Sequence, residues 1–385
     1  MISTNVRLFY ILEALLSAAG GIILPVYVFY FRNYDITLFQ VAVLAVAFEA
    51  TIIVFELPTG VLADRFGRKA STLTGFALMA VSGLVFFHFK SFTGFLVAEV
   101  VFGLAETFIS GALEALAVDS LPGDKKDSIL AALYARRTAV KNGALLIGMI
   151  AGGWLAGVML PLLFLPVTFL ALGGFVVAFF LSEPGIKPGR LASDKKDGSL
   201  LKTIFTSRAI LALFVVGLLA NVVYEPVDQF WQVLFAEIRG VDVSLFGFIT
   251  AVGLIAVVIL AGPVRRMYNR PAFGLLSGFL IMAGALYLST RDGQYPAIAG
   301  IVVYFILKEL IRPVLATQLN KRFDGSRRAT YLSAFNLTCS VGEVAAGLLA
   351  GVLASWYGVI TLFHFAAAGA VVVPLIYLLI SKRKI

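Results

Sequence analysis

The chain alternates between long apolar runs and short polar gaps. Twelve apolar runs, most of them at or above the roughly 20 residues that a helix needs to cross a hydrocarbon core, are separated by charged residues or by Gly and Pro. Runs of this length predict membrane-spanning helices. We assign them to 7–31, 37–62, 70–89, 93–118, 129–158, 160–182, 206–236, 243–264, 271–290, 295–319, 329–355 and 358–380.

Lys and Arg residues concentrate in alternate gaps. The basic gaps are 63–69, 119–128, 183–205, 265–270 and 320–328, and a basic segment at 382–384 follows the last run. The opposite gaps contain only Arg32, Lys90, Arg239 and Arg291. Because cytoplasmic loops carry the excess of Lys and Arg, we predict a multi-pass protein of the cell membrane with both termini in the cytoplasm.

The composition agrees with an all-α integral membrane protein. Hydrophobic residues make up 60% and charged residues 14%, whereas charged residues are near a quarter of a soluble domain. The net charge of +9 comes from the gaps, so it indicates membrane orientation and not a nucleic-acid partner. No phosphate-binding loop, nucleophile elbow or HExxH motif is present, and His88 and His364 stand alone. We therefore expect no enzymatic activity, no cofactor and no metal.

One long gap divides the chain into halves. We predict a six-helix bundle over 1–182, a cytoplasmic linker over 183–205 and a second six-helix bundle over 206–385. Glycines of the fifth run recur in the eleventh run at a constant offset, which is typical of two parallel repeats. The matched pairs are Gly143 and Gly342, Gly148 and Gly347, and Gly152 and Gly351.

The gap after the second run carries a specific motif. Residues 60–69, the signature segment, read Gly-Val-Leu-Ala-Asp-Arg-Phe-Gly-Arg-Lys. This segment resembles the signature of the major facilitator superfamily, of form G-x-L-A-D-R-x-G-R-K, at every fixed position. The resemblance implies the major facilitator fold and a secondary transporter that works by rocker-switch alternating access. It assigns a gating role to Gly60, Asp64, Arg65, Gly67, Arg68 and Lys69.

The resemblance further implies that Asp64 caps the eleventh helix of the other half, near Arg327, Arg328 and Thr330. A carboxylate is stabilised at such a helix N-terminus. The alternative is that Asp64 pairs with Arg68 inside a solvated loop. Two departures from the family leave the direction of transport open: the fourth run has no Arg, and the fifth run has no Gly-Pro pair.

Acidic residues of the fourth run lie on one helical face, and three basic residues lie near the cytoplasmic start of the fifth run. Because charges inside a membrane are costly unless paired, we predict a charge network in the first half, in which Glu106 and Lys141 lie at the same depth in the membrane. The predicted network comprises Glu106, Glu114, Arg136, Arg137 and Lys141.

In the second run, Glu49 and Glu56 lie on one helical face, with no basic residue before Arg65. Burial without a cation favours the protonated form of a carboxyl, which a proton-coupled carrier requires. Glu13 also resembles, in placement, a protonation position of multidrug members of the superfamily, although pairing with Lys141 or Arg137 is an equal alternative. Our candidates for proton coupling are Glu13, Glu49, Glu56, Glu106, Glu225 and Asp228.

The seventh run carries a polar stripe that includes Glu225 and Asp228 and is interrupted by Pro226. Aromatic residues beside these carboxylates suit a cationic, amphipathic ligand, whereas pairing with Lys308 or Arg312 is the structural alternative. The substrate-cavity candidates are Asn221, Tyr224, Glu225, Asp228, Trp231, Gln232, Lys308, Arg312, Asn336 and Glu343.

The leading hypothesis is a monomeric, proton-coupled antiporter that exports amphipathic or cationic small molecules, as in multidrug efflux. The alternative is an importer or facilitator of organic anions or lysolipids, with Arg136, Arg137, Lys141, Lys308 and Arg312 as an anion clamp. A receptor or scaffold without transport activity belongs to a third class, and the buried charges speak against it.

Overall fold

The computed structural model describes residues 4–121, 126–183, 206–260, 271–320 and 328–382. Across these residues the chain forms helices joined by turns and short connections, with no strand. The helices up to the linker are α1 Thr4–Ile23, α2 Tyr27–Arg32, α3 Leu38–Phe66, α4 Arg68–His88, α5 Phe92–Asp119, α6 Lys126–Met159 and α7 Phe164–Phe179. Those after it are α8 Arg208–Val233, α9 Phe246–Ile259, α10 Pro271–Ser289, α11 Gln294–Asn320, α12 Arg328–Tyr357 and α13 Val359–Lys382.

The helices are those of an integral membrane protein. In the described part of the chain, 9 helices are long and apolar enough to cross a membrane, and two further apolar segments, Phe164–Phe179 (α7) and Val243–Ala256, which contains most of α9, are shorter. Helix α11 is 27 residues long and carries three charged residues, Lys308, Glu309 and Arg312. The predicted total of twelve spans therefore stays a prediction.

Two predicted boundaries differ from the structure. The first run is not one helix over 7–31, because α1 ends at Ile23 and α2 begins at Tyr27. Pro25 lies between them, and proline has no N–H to continue a helical ladder. The gap predicted at 63–69 is mostly helical as well, since α3 extends to Phe66 and α4 begins at Arg68.

The chain divides into two compact units, and two helices contribute to both. The first unit takes in the described residues of Met1–Ile36, Val43–Ala192 and Asp242–Phe248. The second takes in those of Thr37–Ala42, Ser193–Val241 and Ile249–Ile385. The start of α3 thus belongs to the second unit, and the start of α9 belongs to the first.

Glycine permits the closest helix packing in the first unit. A Cβ atom on Gly148 of α6 would lie 2.4 Å from the carbonyl oxygen of Ala18 in α1, and one on Gly152 would lie 2.1 Å from that of Ile22. No side chain fits at either position, so the two backbones touch.

The repeat-related glycines of α12 have a similar neighbour in the second unit. Gly342 approaches Leu218 of α8, and Gly347 approaches Glu225 and Gln229 of the same helix. Gly148 and its counterpart Gly347 thus each pack on a neighbouring helix, α1 and α8, whereas a Cβ on Gly143 would meet no atom within 4 Å and one on Gly351 would meet Ala42 of α3.

Candidate functional site

A cavity of about 250 Å³ lies within the first unit, among α1, α4, α5 and α6. Four of its lining side chains are charged, and two serines add polar surface. The charged residues are Glu13, Glu106, Arg137 and Lys141. The cavity thus brings together two proton-coupling candidates, Glu13 and Glu106, and two bases of the predicted charge network, Arg137 and Lys141.

Arg137 connects two carboxylates at this cavity. Its Nε atom lies 3.1 Å from Glu13 Oε1, and its Nη1 atom donates a hydrogen bond of 2.6 Å to Glu114 Oε2. The other carboxylate oxygen of Glu114 accepts a 2.6 Å hydrogen bond from the Tyr134 hydroxyl. The Glu13 side chain is only 5% exposed, so an ion pair is what allows its negative charge there. Of the two alternatives for Glu13, the structure has the pair with Arg137.

Glu106 is the cavity carboxylate without a direct ion pair in the described part of the chain. Lys141, Arg137 and Glu13 are close enough to act on it electrostatically. Glu106 and Lys141, which the sequence predicts at equal depth, are therefore near each other. Arg137 pairs with Glu114 and Glu13 and not with Glu106. Arg136, the remaining predicted member of the network, is exposed and does not line the cavity.

Glu49 and Glu56, the proton-coupling candidates of α3, lie elsewhere. Glu49 is half-buried and Glu56 is exposed, and neither lines the cavity. Within the described residues, no group of three or more His, Cys, Asp or Glu side chains is arranged to hold a metal ion.

A second charged cluster lies in the second unit, between α8 and α11. Lys308 Nζ contacts Asp228 Oδ2, and the Tyr304 hydroxyl lies 2.9 Å from Asp228 Oδ1 and 3.1 Å from the carbonyl oxygen of Tyr224. The Tyr224 ring stacks on Phe279, with ring centroids 6.2 Å apart. Asp228 is therefore held by a cation and a phenol, as the structural alternative expected.

The polar stripe of α8 is shared between two neighbouring helices. Asp228 faces α11, whereas Asn221 donates to the carbonyl oxygen of Cys339 in α12 at 3.4 Å. Glu225 and Gln229 lie beside Gly347 of α12, since a Cβ there would be 3.5 Å from Glu225 Oε1 and 3.2 Å from Gln229 Nε2. The sequence reading missed Gln229, although it follows Glu225 by one helical turn.

The remaining cavity candidates have different surroundings. Trp231 is 2% exposed and packs edge-on against Phe235 and Phe305, each at 5.6 Å. Gln232 is likewise buried, whereas Asn336 and Arg312 are exposed. Glu343 is half-buried and interacts electrostatically with Arg312 and Lys308.

Within the signature segment, Gly67 is the single residue that connects α3 to α4. Gly67 has φ of +104°, a left-handed conformation that glycine adopts without strain. Glu183, which follows α7, accepts hydrogen bonds from the backbone N–H groups of Arg68 at 2.8 Å and Lys69 at 2.9 Å. The carboxylate of Glu183 therefore caps α4, and the sequence reading missed this because the partners are 115 residues apart.

Charged residues surround this cap. Arg68 contacts Asp119 at the end of α5 and lies 3.8 Å from Asp64, whose side chain is 61% exposed. The local Asp64–Arg68 pair is thus present. The proposed target of Asp64 lies outside the described residues at Arg327 and outside the described side chains at Arg328 and Thr330.

Two bacterial proteins resemble this chain along most of its length. It is 24% identical over 388 residues to the uncharacterized MFS-type transporter YxaM of Bacillus subtilis, covering 98% of this chain and 96% of that protein. It is 23% identical over 343 residues to the quinolone resistance protein NorA of Staphylococcus aureus, covering 86% and 85%.

Solved transporter structures share the fold. The nucleoside transporter NupG superposes with a TM-score of 0.80 at 14% identity, over 99% of this chain and 100% of that one. A POT family transporter in complex with 5-aminolevulinic acid gives a TM-score of 0.75 at 14% identity, over 97% and 95%. The family model of the Major Facilitator Superfamily matches residues 9–308. The chain therefore belongs to the Major Facilitator Superfamily of membrane transporters.

Proposed function

We propose that this transporter is a proton-coupled antiporter that exports amphipathic or cationic small molecules by rocker-switch alternating access. In this proposal the chain has twelve spans in two six-helix bundles, 1–182 and 206–385, joined by a cytoplasmic linker at 183–205. It acts as a monomer in the cell membrane, with both termini in the cytoplasm.

The observation that carries the proposal is the charge balance around Arg137. Three carboxylates, those of Glu13, Glu106 and Glu114, surround Arg137 and Lys141. When every group is ionised, the cluster has one more negative than positive charge. A single added positive charge, from a proton or from a cationic substrate, would neutralise it.

This balance gives a physical basis for exchange. A proton and a monovalent organic cation would each satisfy the same surplus carboxylate, so binding of one disfavours binding of the other. Mutually exclusive occupancy is what an antiporter needs, provided that both ligands act on the same conformational equilibrium. Glu106 is the carboxyl most suited to this exchange, because Glu13 and Glu114 are already bound by Arg137.

A relative supports the substrate class and the direction. The Staphylococcus aureus relative is a quinolone resistance protein, and resistance to a drug agrees with its removal from the cell. The signature segment and the polar cluster around Asp228 would then serve gating and a second coupling site. Lys308 would dissociate from Asp228 when a cationic ligand or a proton takes the place of the Lys308 ammonium.

The test uses the purified protein in liposomes with an imposed pH gradient and tetraphenylphosphonium as the lipophilic cation. We expect the cation to evoke proton movement in the wild type. Glu106→Gln should reduce this proton movement at least about tenfold, since it removes the surplus charge, while leaving Arg137 paired. Asp292→Asn is the matched control, because Asp292 pairs with Arg239 at 3.0 Å and belongs to neither cluster.

Two results would contradict the proposal. Proton movement by Glu106→Gln equal to that of the wild type would remove Glu106 from the coupling mechanism. Uptake of an organic anion or a lysolipid that does not depend on the pH gradient would instead support the importer hypothesis.

A further inference from the structure

The most isolated buried acid of the first unit is Glu99 of α5, which the proposed exchange does not use. Glu99 is 2% exposed, and its Oε1 atom accepts a 2.7 Å hydrogen bond from the Tyr27 hydroxyl. No Lys, Arg or His side chain in the described part of the chain pairs with it.

The surroundings of Glu99 are closed and apolar. One turn before it, Phe95 is fully buried in a cluster of rings that includes Phe31, at a centroid distance of 4.8 Å. One turn after it, Gly103 packs against α3 so tightly that a Cβ would lie 2.9 Å from the carbonyl oxygen of Phe48. Water therefore has little access to the carboxyl from either side.

The charged and polar groups around Glu99 already have partners. From α2 the facing group is the Tyr27 hydroxyl, and from α4 it is Ser82, whose hydroxyl donates to the Ala98 carbonyl at 2.8 Å. The nearest base along the chain, Lys90, donates to the Tyr30 hydroxyl and to the carbonyl oxygen of Phe86. A carboxylate with one neutral donor and no cation is poorly stabilised, whereas a neutral carboxylic acid fits such a site.

We propose that Glu99 is a second proton-binding site of the first unit and that Tyr27 is its positioning residue. Glu99 and Glu106 are seven residues apart, which places them on one face of α5 with a rise of about 10 Å between them. A proton released at Glu99 would thus have Glu106, at the cavity, as its next carboxyl along this face. Tyr27 links the protonation state of Glu99 to α2, the short helix that follows the break at Pro25.

The role of this site in transport rests on the proposed proton coupling, but its test does not. Infrared spectra of the purified protein in lipid nanodiscs detect the C=O stretch of a protonated carboxyl directly. We expect the wild type minus Glu99→Gln difference spectrum to contain one such band near neutral pH. The band should persist when Glu237→Gln removes an exposed carboxylate instead.

Tyr27→Phe provides an independent readout. Loss of the phenol donor should shift the Glu99 band to higher frequency without removing it, which a merely structural role of Tyr27 would not do. Gln at position 99 can still accept the Tyr27 hydrogen bond, so we expect that variant to fold. If Glu99→Gln leaves the carboxyl band unchanged, or if Tyr27→Phe leaves its frequency unchanged, the proposal is wrong. If liposomes show no proton movement while the band is present, only the coupling function fails.

Discussion

Arg137 has the largest share of ionic contacts among the described side chains of α6. Its guanidinium contacts Glu13 and Glu114 and lies 5.7 Å from the ring centre of Phe9. A planar guanidinium offers five N–H donors, so it can hold two carboxylates and still face a ring. Lys at this position could keep the charge but could not reproduce this geometry.

We expect Arg137→Gln to destabilise the protein by about 3 kcal/mol, because it leaves the buried Glu13 carboxylate without its cation. The double variant Glu13→Gln with Arg137→Gln should recover part of this loss, since no buried charge then remains unpaired. Thermal unfolding in detergent, followed by tryptophan fluorescence, measures both effects. Equal losses in the single and the double variant would show that Glu13 does not depend on Arg137.

At the scale of elements, the short helix α2 is held through its tyrosines. Tyr27 reaches Glu99, while Tyr30 accepts a hydrogen bond from Lys90, which lies between α4 and α5. The Lys90 ammonium also lies 4.8 Å from the ring centre of Tyr30, 5.0 Å from that of Tyr34 and 5.4 Å from that of Phe87. Three rings around one cation supply attraction without a carboxylate.

Burial lowers the pKa of Lys90 to about 8, below its usual value near 10.5. The charged form is therefore less favourable in the folded than in the unfolded protein, by an amount that the rings partly offset. This cost is fully present below about pH 8 and declines as the pH rises toward the unfolded value. We expect the melting temperature of the wild type, relative to Lys90→Met, to rise between about pH 7 and about pH 10. Parallel melting curves for the two proteins across this range would contradict the assignment.

The sequence predicted helices and local pairs better than it predicted long-range contacts. Apolar runs identify nearly every helix, because a span must satisfy its backbone internally. The break at Pro25 and the continuation of α3 to Phe66 depend on local backbone geometry that hydropathy does not record. Glu114 and Arg137, two members of the predicted charge network, share a 2.6 Å hydrogen bond, whereas Glu106 has no direct ion pair in the described part of the chain.

The missed partners share one property. Asp119 at the end of α5 and Glu183 after α7 both contact Arg68, and nothing in the sequence near Arg68 indicates which distant acid will reach it. Gln229 is different, since it directly follows Asp228, a predicted cavity residue of α8. The predicted stripe continues from Glu225 to Asp228, and the burial of Gln229 beside Gly347 follows only from the packing of α12.

At the scale of the whole molecule, the first unit includes the start of α9 through contacts between glycines. A Cβ on Gly247 would lie 2.0 Å from the carbonyl oxygen of Met149 in α6, and one on Gly153 would lie 2.6 Å from the Gly247 nitrogen. Ser244, one turn earlier, fills the space beside Gly157. This junction therefore accepts no side chain at its centre.

We expect Gly247→Ala to separate α9 from α6 at this junction. The extra methyl group costs about 1–3 kcal/mol by overpacking, which corresponds to a rise of roughly 5- to 150-fold in the population in which Ser244 is accessible. The measurement is the labelling rate of Ser244→Cys by a maleimide, in a Cys339→Ser background that removes the natural cysteine. Gly284→Ala is the matched control, because a Cβ there meets no atom within 4 Å. Equal labelling rates in the two alanine variants would contradict the packing argument.

The cap that Glu183 places on α4 has a consequence for modularity. The signature segment is a continuous stretch of ten residues, but two of its backbone N–H groups donate to the Glu183 carboxylate, which follows α7. A graft of residues 60–69 alone into another chain would leave those donors without a carboxylate. The transferable unit is therefore discontinuous, and it comprises the segment together with Glu183, which follows α7.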